Sequence, residues 1–349
     1  MEQIMGYILP ANIDKTVFEE LGGFFESKTN VDVNINNSEK DNKRYLGTYF
    51  PRSWVESFTI MKDIYSHDHL RKSIQEKEQI NILDIGTGTG GNIVGMMDYF
   101  RCAGFTSENI TFYTLEGNLN AIEMQRKIFD SYNLNNSTKF ILECSLIRFT
   151  SASSLNKQLE DFLIQKELKF DIISSFKFLS EFYNINYKLA KGIYTSFVST
   201  VQDFLTPQGI LIMFDLVCGS MDRTNVRPFT TQIMSDELNG YIKLPKSQLN
   251  YVLPVCCGKW GYKCKQEQCY IERQFHVHHT RKESDLSKGC YRVMTEKNFA
   301  AQIINSLPID NKYQMSENNW HPMTCKDAIL YKKAPGINKE NVLNGFNLQ

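Results

Sequence analysis

A chain of 349 residues with 39 basic and 39 acidic side chains, 42% apolar content and 12% aromatics is long enough for one large domain or two modest ones. Balanced charge excludes the global basic excess that draws a whole protein onto nucleic acid, leaving only a local basic face for that role. A mean hydropathy of −0.35, without an unbroken apolar stretch of about 18 residues, excludes a membrane-spanning helix.

Met1 to Asp14 carries two acids and no arginine, so it reads as neither a signal nor a transit peptide, and a cytoplasmic location is expected. Lys15 to Phe25 and Ser53 to Tyr65 have helical apolar spacing, with Pro51 placed as an early-turn proline of the second helix. The polar, Asn-rich stretch 28–44 between them reads as a loop. Residues 1–75 are therefore a helical lead-in.

The pattern then changes to strands alternating with helices. Ile80 to Ile85 is a β-branched run ending in glycines, followed by a helix over Asn92 to Phe100. Strands are predicted at Ile110 to Leu115, Lys139 to Cys144, Phe170 to Ser174 and Gly209 to Leu216, with helices at Leu119 to Tyr132 and Asn186 to Leu205. Such alternation over 76–217 predicts an α/β fold, a mainly parallel sheet with helices on both faces. Residues 218–294 form a Cys/His-rich insert. Thr295 to Leu307 is helical, and Ala328 to Lys332 is a last strand completing the sheet within 295–335. The tail 336–349 is expected to fray.

The sharpest local signal is Asp84-Ile85-Gly86-Thr87-Gly88-Thr89-Gly90-Gly91, where a strand hands over to a helix. Glycines there permit a tight turn and close approach of a ligand to the backbone, beside the unpaired N–H groups of a helix start. Two cofactors compete for it. Gly86-x-Gly88-x-x-Gly91 satisfies the dinucleotide fingerprint, with Glu116 as the acid that would grip a ribose. Asp84-x-Gly86-x-Gly88-x-Gly90, over residues 76–217, resembles the Asp-x-Gly-x-Gly-x-Gly signature of class I S-adenosylmethionine-dependent methyltransferases. A carboxylate before the first glycine faces a pyrophosphate poorly but suits a cationic sulfonium amino acid. A plain tight turn is the third alternative.

The resemblance implies that Asp84, Gly86, Thr87, Gly88 and Gly90 hold the cofactor and that Glu116 accepts its ribose hydroxyls. It places Ser145, after Cys144, where the family contacts adenine, and Ser174 at the end of the fourth strand. Ser174-Ser175-Phe176-Lys177-Phe178 lacks the Asn/Asp-Pro-Pro-Tyr/Phe tetrapeptide that grips a planar amine, and no catalytic base is visible. Lys177 and Glu181 are candidates by position alone, against a solvated helix start.

Five of nine cysteines fall between Cys256 and Cys290, and clustered thiolates outside a secreted protein suggest a cation, with buried free thiols or a redox disulfide as alternatives. Tyr45-Leu46 and Pro51-Arg52-Ser53-Trp54, with His321-Pro322-Met323-Thr324-Cys325 near the C-terminus, resemble the methyltransferase-like proteins of mitochondrial and bacterial small ribosomal subunits. That resemblance implies a metal site of Cys257, or Cys256 in its place, with Cys264, Cys269 and Cys325, holding zinc or an iron–sulfur cluster. It also implies RNA or a ribosomal subunit as partner. The basic run Lys259 to Lys265, interleaved with Trp260 and Tyr262, would face a phosphate backbone or be an ordinary solvated loop. His276, His278 and His279 read as partly exposed strand residues rather than ligands. A methyltransferase acting on RNA or a ribonucleoprotein leads, followed by a non-catalytic ribosome-assembly factor and a small-molecule methyltransferase.

Overall fold

The computed structural model describes residues 6–27, 37–105, 109–136, 139–186, 188–216, 221–222, 225–226, 230–253 and 273–306. In chain order its elements are β1 (Tyr7–Ile8), α1 (Ala11–Lys15, running on as a π-helical turn over Thr16–Glu20), α2 (Glu39–Tyr65), α3 (Asp68–Gln75), β2 (Ile80–Ile85) and α4 (Gly91–Cys102). Then come β3 (Ile110–Glu116), α5 (Leu119–Leu134), β4 (Ile141–Leu146), α6 (Ala152–Lys166), β5 (Phe170–Phe176), α7 (Leu179–Asn186) and α8 (Ile193–Val201). The remainder is β6 (Leu205–Leu216), β7 (Met221–Asp222), β8 (Asn225–Val226), α9 (Thr230–Ile242), β9 (Leu249–Leu253), β10 (Arg273–His279), β11 (Lys282–Glu296) and α10 (Lys297–Ser306). The chain is mixed α/β with a mostly parallel central sheet, the expected class. Among the described residues no helix is long and apolar enough to cross a membrane.

Two compact units divide the contacts: Met1–Met61, Lys77–Thr150 and Gln274–Ser287 in one, and Lys62–Glu76, Ser151–Arg273 and Lys288–Gln349 in the other. In the first, β2, β3 and β4 are parallel neighbours, with Ile80 opposite Ile110 and Thr111 opposite Ile141. Every residue of β3 is buried, which is why Ile110 to Leu115 lacks the polar alternation of a half-exposed strand. α5 opens with Asn118, whose side chain accepts from the Asn120 and Ala121 N–H groups.

Helix α2 is the larger surprise of this unit. It begins at Glu39, so the end of the predicted loop is helical, and Pro51 lies inside it. A mid-helix proline removes the N–H that would bond to the carbonyl four residues back, here Gly47. Burial of Leu46, Phe50, Trp54 and Val55 on both sides holds the helix together across that gap, so packing overrides propensity. The helix lies against α4 through small residues. An added Cβ at Gly91 would sit 2.5 Å from the Phe50 carbonyl oxygen and 2.8 Å from the Ser53 Cβ. One at Gly95 would run into the Trp54 carbonyl oxygen and the Ser57 hydroxyl.

In the second unit β5 runs parallel to β6, and residues 289–295 of β11 run antiparallel to β6, from Gly289 opposite Leu216 to Thr295 opposite Ile210. β9 pairs antiparallel with the end of β11. This antiparallel strand lies inside the segment set apart as an insert; the predicted strand Ala328 to Lys332 lies outside the described residues. The predicted long helix Asn186 to Leu205 is broken. Gly192 adopts φ +88° and starts α8, while the Asn186 side chain accepts from Lys188 and Leu189 N–H groups in the turn before it. Helix α6 escapes the sequence reading, although Ser151 and Ser154 form a capping box ahead of buried Leu155, Leu159, Phe162 and Leu163. Helix α9 escapes it too, whereas α10 matches the predicted helix from Thr295 closely.

Gly95→Ala is expected to lower the unfolding free energy in urea by about 2 kcal/mol. Pushing backbone apart at a close helix contact costs about 3 kcal/mol, and alanine's helix propensity returns only about 1 kcal/mol. A variant as stable as the wild type would mean that α4 and α2 do not pack this tightly.

Candidate functional site

The loop between β2 and α4 owes its shape to three glycines in the left-handed region: Gly86 at φ +74°, Gly88 at +58° and Gly90 at +87°. Side chains strongly disfavour that conformation, so the alternating spacing is a backbone requirement. Gly91 differs: its φ is ordinary, and its missing Cβ makes room for Phe50 and Ser53 of α2. The glycines that bend the chain are those of the Asp-x-Gly-x-Gly-x-Gly reading. The third glycine of the dinucleotide reading serves helix packing.

Carboxylates at two strand ends organise the loop. Asp84 is fully buried and accepts from the Asn92 side-chain amide at 2.5 Å, while the Thr87 hydroxyl donates to the Asp84 carbonyl at 3.2 Å. Glu116, at the end of β3, receives the Gly88 N–H on Oε2 at 2.7 Å and the Gly117 and Asn118 N–H groups on Oε1, both at 2.9 Å. Gly86 and Thr87 N–H groups go to the Leu115 carbonyl and the Gly90 N–H to the Thr87 carbonyl. The loop's donors are thus already turned inward, and one meets a carboxylate where a phosphate-binding loop would present it to an anion.

Three features here were not foreseen as neighbours of the loop, although Tyr45 belongs to the Tyr45-Leu46 pair of the small-ribosomal-subunit resemblance. Tyr45 of α2 lies over the loop, its ring and hydroxyl 3.3 Å from where a Gly88 Cβ would be. The Asn118 amide donates to Asn42 of α2 at 3.2 Å. Gln125 of α5 is buried against Gly90, with its Oε1 accepting from Thr114 at 2.9 Å and from the Cys144 thiol at 3.2 Å, while its Nε2 has no partner among the described residues. Ser145 is half-buried on β4, in register with Leu115 and one step before the pair Glu116–Leu146.

Ser174 belongs to the second unit, buried in β5 opposite Ile212 of β6. Beyond it, Lys177 takes φ +61° and donates its N–H to the Phe214 carbonyl at 2.7 Å; Lys177 and Glu181 are both half-buried. Sequence reading passed over Asp215, near the end of β6. It is buried and accepts from the Ser180 hydroxyl at 2.5 Å and the Tyr194 hydroxyl at 2.6 Å. Burial pushes its carboxyl up to about 6 in spite of those two donors, and burial beside it raises the Tyr194 phenol well above its usual range.

Cys257, Cys264, Cys269 and Cys325, the alternative Cys256, His321 and the basic run Lys259 to Lys265 all lie outside the described residues. Among the described residues no cluster of three or more His, Cys, Asp or Glu side chains is placed to hold a metal. His276 and His278 are half-buried on β10, as expected of strand residues. His279 is a correction: it is buried, stacked on Phe18 at 5.1 Å between ring centroids, because it ends the strand facing the α1 side rather than solvent.

No family model and no curated protein matches this chain. Among solved structures it is similar to the SAH-bound Podospora anserina methyltransferase PaMTH1, with 13% identity over 84% of this chain and 90% of that one and a TM-score of 0.37. It is also similar to the plantazolicin methyltransferase BpumL in complex with SAH, with 12% identity over 69% of this chain and 77% of that one and a TM-score of 0.35. A third is a putative class I S-adenosylmethionine-dependent methyltransferase from Listeria monocytogenes, with 10% identity over 77% of this chain and 63% of that one and a TM-score of 0.37. Likeness of this degree assigns no activity to the chain.

Asp215 provides a pH test. The folded chain holds this proton more tightly than the unfolded chain, whose carboxyl titrates near 3.8. Its contribution to stability is therefore greatest below that value and falls by about 3 kcal/mol as pH rises from about 4 to about 6. Carbon-13 NMR of aspartate-labelled protein should show one carboxyl titrating near pH 6 that disappears in Asp215→Asn. A spectrum in which every aspartate titrates below pH 5 would contradict this environment.

Proposed function

We propose that the chain is an S-adenosylmethionine-dependent methyltransferase, with Asp84, Gly86, Thr87, Gly88, Gly90 and Glu116 holding the cofactor. The observation that carries this reading is the loop itself: three left-handed glycines whose N–H groups are satisfied from within, flanked by two buried carboxylates. When bound, S-adenosylmethionine supplies a methyl group on a positively charged sulfur, ready for transfer to a nucleophile. Asp84, oriented by Asn92, suits the positive aminoacyl end. Glu116, an acceptor-only group held by three N–H donors, suits hydroxyls presented to the remaining lone pairs of its oxygens. Ser145 and Ser174 extend the set on the family resemblance alone. Transfer from a sulfonium is driven largely by positioning, so the chemistry does not require a strong base.

For the acceptor we favour RNA or a ribonucleoprotein, with zinc or an iron–sulfur cluster on Cys257, Cys264, Cys269 and Cys325. That part rests on the sequence resemblance to small-ribosomal-subunit proteins. A non-catalytic ribosome-assembly factor is the second reading. It is favoured by the end of β5, where Ser174-Ser175-Phe176-Lys177 offers neither a carboxylate nor an amide side chain.

Isothermal titration should show binding of both S-adenosylmethionine and its demethylated product. In Gly88→Arg, a side chain forced into a left-handed backbone against Tyr45 should weaken binding by roughly 100-fold or more. An Arg variant with full affinity would remove the loop from the site, and a wild-type chain blind to both nucleosides at millimolar concentration would end the reading. With binding established, radiolabelled methyl counted in RNA, protein and metabolite fractions separates enzyme from assembly factor.

A further inference from the structure

Among the described residues, strand β4 ends the central sheet: β3 lies on one side of it and no strand on the other. Its register with β3 runs unbroken from Ile141 to Leu146, without a bulge, and it contains no proline and one charged residue, Glu143. The Ile147 N–H donates to the Glu116 carbonyl of β3. Backbone groups of successive strand residues turn to opposite sides, so the odd-numbered residues bond to β3. Leu142, Cys144 and Leu146 therefore turn their N–H and C=O groups to the open edge. Ile141 is 49% exposed and Leu146 50%, while Leu142, Cys144 and Ile147 are half-buried. An edge that is apolar, regular and little charged is a template for another strand.

The sequence of this edge is complementary to itself. Two antiparallel copies of β4 must bond through their even-numbered residues, which restricts the registers open to them. With Cys144 opposite its own copy, Leu142 meets Leu146, Ile141 meets Ile147 and Glu143 meets Ser145. Sliding one copy by two residues sets Glu143 against Glu143, and sliding it the other way sets Leu142 against Arg148 and Glu143 against Ile147. With 39 basic and 39 acidic side chains in each chain, no net charge opposes their association. We infer that β4 is a homodimer interface, where a second copy of the chain pairs antiparallel about a two-fold axis at Cys144. The contact is the same patch on both copies, and it joins their sheets edge to edge. It belongs to the first unit alone and is independent of what the glycine loop binds.

Sedimentation velocity of the full chain at about 0.1 mM should show a species of twice 40.4 kDa. Leu146→Lys, at an exposed position, puts a charge into both Leu142–Leu146 pairs. It should raise the dimer dissociation constant at least about tenfold and leave the circular dichroism spectrum unchanged. Ile141→Lys should act likewise through the opposite face of the sheet. A monomer at that concentration, or a dimer that both substitutions leave intact, would overturn the inference. The register has its own readout, because directly opposed side chains have Cβ atoms about 5 Å apart. Dibromobimane, which bridges neighbouring thiols, should join two chains from Cys144 to Cys144, as read by mass spectrometry of the linked peptides, and the link should vanish in Cys144→Ser. A bridge from Cys144 to a different cysteine of the second copy would overturn the two-fold axis assigned here.

Discussion

Glycine permits a left-handed backbone but does not select it, and a loop with Gly86, Gly88 and Gly90 would sample many shapes if nothing held it. Glu116 holds it. A single buried carboxylate gathers the N–H of Gly88 from the loop after β2 and those of Gly117 and Asn118 from the turn after β3, so the two neighbouring strand ends behave as one body. Hydrogen bonds to an ionised acceptor are about twice as strong as neutral ones, and three of them offset the burial of the charge. The other loop donors are satisfied by backbone: the Gly86 and Thr87 N–H groups by the Leu115 carbonyl and the Gly90 N–H by the Thr87 carbonyl.

Helix α2 depends on that geometry and completes it. It reaches the loop only because Gly91 and Gly95 of α4 and Ser53 and Ser57 of α2 are small enough for the two helices to touch backbone to backbone. Asp98 of α4 then ties three elements together, accepting from the Trp54 indole N–H of α2 at 2.7 Å and from the Tyr132 hydroxyl of α5 at 2.9 Å, and pairing with Arg101 on its own helix at 3.1 Å. A helix so anchored carries Tyr45 to Gly88 and Arg52 to Asp285 at fixed separations.

The strand–glycine–helix unit and most of the parallel strands are legible in the sequence because their signals are local: β-branched runs and glycine spacing. What escaped is what depends on distant partners. Residues 39–44 look like loop because their polar side chains contain no hint that Asn42 meets Asn118. Pro51 looks like a helix start because only burial of Leu46, Phe50 and Trp54 tells otherwise. The strand at 289–295 hides in a segment whose cysteines and histidines draw attention to metal chemistry, and its identity comes from pairing with β6 some 80 positions earlier. Likewise, Asp84 and Glu116 follow from motif spacing, whereas Tyr45 and Gln125 are brought to the loop by packing alone.

Buried carboxylates in this chain differ in charge state according to what surrounds them. At Asp285, burial alone would raise the carboxyl, but His279, Arg52 and Lys282 hold it well below the usual range, so it stays ionised and anchors α2. At Asp215, burial meets the neutral hydroxyls of Ser180 and Tyr194 and the Ser180 backbone N–H, with the Lys177 charge the least of the opposing influences, and the carboxyl rises to about 6. A neutral donor stabilises an anion through one dipole, a guanidinium through full charge and a matching fork, and the difference exceeds what these hydrogen bonds recover. The end of β6 therefore holds an acid that is neutral in mildly acidic solution and charged in mildly alkaline solution, while the carboxylate that pairs with Arg52 keeps its charge across that range.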